Sequence, residues 1–163
     1  MIVAAAQMHH GAMKPIEFEL ERTIAAPIDQ VFARLVDIDG YNEWMPKRGS
    51  MLKRTHQTSP GEPAVGTTYL DEMTVGSTPG EIVELESPRK VVFHWWDKSK
   101  SGTVKTEGWP GFFLEPQGTG ATLVRHHAKM ETHGVYRLAV PVFRRLAVRE
   151  RTATIDALKA SFE

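Results

Sequence analysis

Hydrophobic and polar positions change period along this chain, and each change marks an element. From Ile16 to Ile24 the run IEFELERTI sets Phe18, Leu20 and Ile24 against Glu17, Glu19, Glu21 and Thr23, the period-two pattern of a strand with one wet face. Pro27 stands where a helix can begin, and Asp29 falls in its first turn. Ile28, Val31, Phe32 and Leu35 then recur at i, i+3, i+4 and i+7, which predicts a helix ending before Gly40. Six further runs read as strands separated by turn chemistry. They are Arg48 to Thr58 before SPGEP, Thr67 to Val75 before GSTPG, Glu81 to Glu86 before SPR, Lys90 to Asp97 before KSKSG, Thr103 to Glu115 before PQGTG, and Ala121 to Thr132. After Pro141 neither Gly nor Pro interrupts the chain as far as Phe162. Phe143, Leu146, Ala147, Leu158 and Phe162 supply a partial apolar stripe, so a long terminal helix is predicted. One strand, a helical connection, six strands in hairpin succession and a last helix make an α+β domain. Its antiparallel sheet must bury one face under the helices.

Composition narrows the partners. At 163 residues the chain is one domain with room for a real core, and its 20 basic and 20 acidic residues cancel, so no global charge points to nucleic acid or an anionic membrane. The absence of cysteine excludes disulfides, thiol catalysis and a thiolate zinc site, and suits a cytoplasmic protein. Residues 1–14 read as a loose leader, lacking the basic start of a signal peptide, with the domain at 15–163; Met8 and Met13 are alternative starts to Met1. No run approaches the roughly 18 apolar residues of a membrane span, so stable membrane insertion is not expected.

The stretch from Ile24 to Pro46, IAAPIDQVFARLVDIDGYNEWMP, resembles the opening of the START-like superfamily, also called the polyketide cyclase/dehydratase and lipid-transport group. VGTTYLDEM (Val65 to Met73), GEIVELESPRKVVFHWW (Gly80 to Trp96), FFLEPQGTGATLV (Phe112 to Val124) and the terminal helix follow in the superfamily's order. The resemblance covers residues 16–162 and is specific as an ensemble rather than piece by piece. It implies the helix-grip fold, a seven-stranded curved antiparallel sheet in the order β-α-α-β6-α around a long C-terminal helix, with an internal cavity. It also implies that Trp44, in DIDGYNEWMPK, sits at the cavity mouth; the other reading of Trp44 is packing of the helical connection against the sheet.

Alternation sorts the remaining candidates. In TLVRHHAKME, His126 shares a face with Val124, Ala128 and Met130, whereas Arg125, His127, Lys129 and Glu131 form the opposite, charged face. In GTTYLDEMTV the same rule puts Tyr69 and Met73, with Asp71 between them, on the cavity side. VVFHWW is apolar on both faces, so periodicity leaves Phe93 with Trp95 and His94 with Trp96 as alternatives; the resemblance favours Phe93 and Trp95 inward. Phe112, Leu114, Met130 and Phe143 complete the expected lining.

No catalytic set is fixed by spacing. A lone His on an apolar strand face is more often a satisfied core residue than a catalyst. His9-His10 and His126-His127 cannot each chelate a metal from one strand face, no HExxH run occurs, and the glycines at 102, 108, 111, 118 and 120 read as turn or bulge positions rather than a phosphate loop. Neither a metal nor a cofactor is expected. Arg137, Arg144, Arg145, Arg149 and Arg151 cluster around the start of the last helix, where the functional reading is recognition of an anionic ligand head group, a lipid surface or an acidic partner at the cavity entrance; the ordinary reading, a solvated face covering apolar surface, is favoured because Glu150 and Asp156 accompany the cluster and the net charge is zero. The expected function is binding or transport of a lipophilic small molecule such as a lipid, polyketide, quinone or aromatic compound. The alternatives are a polyketide cyclase/dehydratase-type enzyme and a small interaction module whose cavity is filled. The oligomeric state is not legible.

Overall fold

The computed structural model describes residues 14–163; the expected leader, with His9 and His10, lies outside the described residues apart from Lys14. β1 (Ile16–Ile24) leads into α1 (Ile28–Val36) and a four-residue helix α2 (Tyr41–Trp44). Then come β2 (Leu52–Gln57), β3 (Thr68–Met73), β4 (Ser77–Glu86), β5 (Lys90–Lys98), β6 (Val104–Gln117) and β7 (Ala121–Thr132). A 3-10 segment, Gly134–Ala139, runs directly into α3 (Val140–Ala160). The sheet order is β1-β7-β6-β5-β4-β3-β2 with every neighbouring pair antiparallel, so α1 and α2 carry the chain from one edge strand to the other. This is the helix-grip architecture: one curved seven-stranded sheet held around a long C-terminal helix.

Two differences from the sequence reading matter for the site. GSTPG is mostly strand: β4 begins at Ser77, and Pro79 pairs with Leu70 of β3 one residue before β4 starts pairing with β5, so its missing N–H removes no bond on the β5 side. The 3-10 segment is not predicted by the sequence, because six residues from Gly134 to Ala139 are too short a window for a helical period to stand out.

Glycine makes two close approaches inside the sheet. A Cβ on Gly80 would lie 2.3 Å from the Tyr69 ring, and one on Gly108 would lie 2.6 Å from the Trp95 ring. Gly80 sits opposite Tyr69 and Gly108 opposite Trp95 in the strand register, so each glycine lets an aromatic side chain lie flat across its neighbour. Gly108 is therefore an interior packing residue rather than a turn.

The dry core lies where α1 and the C-terminal half of α3 meet the sheet: Ile24, Val31, Leu35, Ile82, Val124, Ile155 and Leu158 pack in one cluster. Side chains fix that end of α3. Arg34 of α1 donates to the Ser161 carbonyl (2.7 Å) and hydroxyl (2.9 Å) and lies over the Phe162 ring, while Arg22 of β1 donates to Asp156 at 2.7 Å. The N-terminal half of α3 has no such core. Its inward residues Phe143, Leu146 and Ala147 are only half-buried, and they face open space.

Candidate functional site

That space is a cavity of about 630 Å³ between the sheet and α3, within the range of small-molecule sites. β5 contributes Phe93 and Trp95, β6 contributes Thr106, Pro110 and Phe112, and β7 contributes Ala128 and Met130. Tyr69, Asp71 and Met73 enter from β3, Trp44 from α2, and Phe143, Leu146 and Arg151 from α3. The cavity is not filled by the chain's own side chains, so the filled-module alternative loses its structural ground. Val75 lines it yet is 86% exposed, which places an opening at the β3–β4 turn.

Of the residues assigned to the cavity from sequence, Trp44, Tyr69, Met73, Phe93, Trp95, Phe112, Met130 and Phe143 line it; Leu114 and His126 do not. Leu114 does face inward. It pairs with Val124 beyond the end of the cavity, where α1 covers the sheet, and is core. His126 also has the expected inward register, but Phe112 of the neighbouring strand stacks on it with centroids 4.0 Å apart and planes 7° from parallel. The ring is fully buried behind that cover. His126 Nδ1–H donates to the Gly111 carbonyl at 2.8 Å, which leaves Nε2 as a buried acceptor without a partner among the described residues. Burial drives its pKa down to about 3, and the charge of Arg151 adds to the effect, so the imidazole is neutral. His127, one residue on, lies on the outer face with its Nε2 2.7 Å from Glu17 Oε1.

Toward β2 and β3 the cavity gathers a buried polar group, while Asp97, Lys98, Lys105 and Lys129 line it from β5, β6 and β7. Asp71 sits directly across the strand pair from Thr55, and burial lifts its carboxyl to about 6 even though the Thr55 hydroxyl and the Arg151 charge pull it down. Burial likewise raises the Tyr69 and Tyr41 phenols. The Tyr41 hydroxyl lies 3.4 Å from Thr154 Oγ1, which donates to the Glu150 carbonyl at 2.9 Å. Asn42 of α2 bonds both the N–H and the C=O of Thr55 (2.9 and 2.7 Å), pinning the helix that carries Trp44 to edge strand β2. Arg151 corrects the solvated-face reading of the arginine cluster. It stands eight residues after Phe143 and four after Ala147, on the same helical stripe, and so turns into the cavity.

An aspartic acid held near pH 6 costs stability when it ionises. The folded state keeps the proton over a window in which the unfolded chain has lost it, so this contribution is full below about pH 4 and is lost as the pH rises through about 6. Asp71→Asn should therefore stabilise the protein at pH 7 by about 1–2 kcal/mol, discounted because the side chain still borders the cavity, and have little effect near pH 4. Urea denaturation at both pH values checks this. Destabilisation at pH 7 would show that the carboxylate is held ionised by Arg151 instead.

The outer face carries its own cluster. His94 stacks on Trp109 (4.7 Å, 4°) and donates from Nε2 to Glu107 Oε1 at 3.0 Å, while His133 donates from Nε2 to Glu107 Oε2 at 2.8 Å. Glu107, Glu131 and His133 bring three possible metal-ligand atoms within 4.8 Å of one another, though none of the three residues lines the cavity. Strand spacing alone could not show this cross-strand group.

The fold recurs elsewhere. The family described as polyketide cyclase/dehydrase and lipid transport matches residues 15–163. A START superfamily protein from Mycobacterium smegmatis has the same fold at 15% identity and a TM-score of 0.67, covering 90% of this chain and 96% of its own. The Zhui aromatase/cyclase from Streptomyces sp. R1128 superposes with a TM-score of 0.72 at 14% identity, over 89% of this chain and 92% of its own. The di-domain ARO/CYC StfQ from the steffimycin biosynthetic pathway does so with a TM-score of 0.64 at 18% identity, over 90% of this chain and 50% of its own. No curated protein matches the sequence. Within the described residues no helix is long and apolar enough to cross a membrane.

Proposed function

Because the chain belongs to the polyketide cyclase/dehydrase and lipid transport family, we propose that it binds or carries a lipophilic small molecule in the cavity beneath α3. The observation that carries this reading is the open volume of about 630 Å³, walled by Phe93, Trp95, Phe112, Met130 and Phe143. Apolar area supplies affinity at about 25 cal/mol per Å² removed from water, while a few polar groups fix orientation. The Trp44 indole supports the same reading. Its Nε1–H is buried with no acceptor among the described residues, and its ring meets Tyr41 edge-on at 4.5 Å. A ligand carbonyl or hydroxyl at that point of the cavity would satisfy it.

Asp71 favours a second reading, a cyclase or dehydratase-type step on a cavity-bound chain. A carboxyl poised near pH 6 can donate and accept a proton at neutral pH, and Tyr69 and Arg151 stand near it to hold or stabilise an enol or enolate oxygen. Carriage needs the walls but not Asp71, whereas the chemical step needs both.

Trp44→Ala should weaken binding of an environment-sensitive apolar fluorophore by about tenfold, through lost contact area and a faster off-rate, while the far-ultraviolet spectrum stays unchanged. Equal titration curves for the two proteins would place Trp44 in ordinary core packing and remove it from the site.

A further inference from the structure

The run from Gly134 to Arg149 is apolar on two sides, and only one is accounted for. Phe143, Leu146 and Ala147 face the cavity, whereas Val135 (75% exposed), Leu138 (89%) and Val142 (60%) face water. Single exposed apolar residues need no explanation, but these three recur at i, i+3 and i+7 and make a ridge along one side of the 3-10 segment and the first turn of α3. Arg137, Arg145 and Arg149 border the ridge, Arg145 and Arg149 at i+3 and i+7 from Val142; all three are exposed, with no ion-pair partner among the described residues and no Asp or Glu anywhere between positions 134 and 149. Since the whole chain is neutral, this positive charge is local. Phe143, next to Val142, lines the cavity, so the ridge lies beside the ligand space.

We propose that this run is a docking surface for an anionic lipid bilayer, with Val135, Leu138 and Val142 entering the headgroup layer and the arginines meeting lipid phosphates. Apolar side chains bordered by cations are the composition of an interfacial helix. A second copy of the chain fits less well, because a two-fold contact on this face would set the same arginines against one another. The proposal goes beyond the cavity reading, which requires no membrane. It places loading or release of the ligand at a bilayer.

The test is co-sedimentation of the full chain with vesicles of phosphatidylcholine alone and of phosphatidylcholine containing one-third phosphatidylglycerol. Binding is expected on the anionic vesicles and should fall in high salt. Replacing Arg145 and Arg149 together by Gln should weaken it by about 25-fold, about fivefold for each arginine. Leu138→Gln should weaken it by at least about tenfold; a side chain this exposed can be changed without unfolding the protein. Failure to bind anionic vesicles, binding indifferent to both replacements, or a concentration-dependent dimer that Leu138→Gln dissolves would each overturn the proposal. Fluorophore binding without vesicles should be the same in wild type and Leu138→Gln, so a failure here leaves the cavity reading standing.

Discussion

Between pH 6.5 and about 3 the folded protein should lose on the order of 5 kcal/mol of stability through His126 alone. Its folded-state pKa lies below the ordinary histidine value. Over that interval the unfolded chain therefore binds a proton that the native ring refuses, and the stability present above pH 6.5 drains away as the pH falls. The cause is physical enclosure. The ring has no exposure, Phe112 covers its face, and Nδ1–H is already committed to the Gly111 carbonyl. Asp71 titrates within the same window with the opposite sign, so the measurement is cleanest as a series of urea denaturations in an Asp71→Asn background. His126→Leu should flatten the slope between pH 3 and 6.5, at some cost in absolute stability for the unpaired Gly111 carbonyl. An unchanged slope would mean that the imidazole reaches solvent or finds an acidic partner.

Phe112→Ala should destabilise the protein by about 3–5 kcal/mol, the usual cost of deleting a buried phenylalanine. The same change removes the cover from His126. Its imidazole should then titrate close to the ordinary value, which proton NMR of the ring follows directly, and the acid-sensitive slope described above should shrink. Apolar fluorophore binding should weaken as well, because Phe112 is both core and cavity wall. Loss of stability without a change in His126 titration would show that some other group shields the ring.

How much of this the sequence shows follows from what periodicity measures. A strand's alternation tells which face a residue takes, and for Tyr69, Met73, Met130 and His126 that face is the inward one. It carries no information on what lies in front of that face. His126 and Leu114 point inward as expected, yet one sits behind a ring from the next strand and the other beneath α1, both consequences of pairing between distant segments. VVFHWW was ambiguous for the same reason. Its outer residues His94 and Trp96 are ring side chains, like the inner Phe93 and Trp95, because they build a separate aromatic and carboxylate cluster on the far side of the sheet. The buried polar group was the least legible part. Thr55, Tyr41, Thr154 and Arg151 are ordinary residues of an edge strand and two helices, and only the antiparallel register with Asp71 and the packing of α3 bring them to one place. A helical-wheel reading of Phe143, Ala147 and Arg151 would have found one of them.

Native mass spectrometry of the freshly purified full-length chain tests the central claim most directly, because it needs no assumption about the ligand. The account predicts a species heavier than the chain by one small molecule, released under stronger activation. It also predicts that an added apolar fluorophore displaces that molecule at one per chain. A bare chain that takes up no fluorophore at any excess would contradict it, and would mean that the space beneath α3 closes in solution.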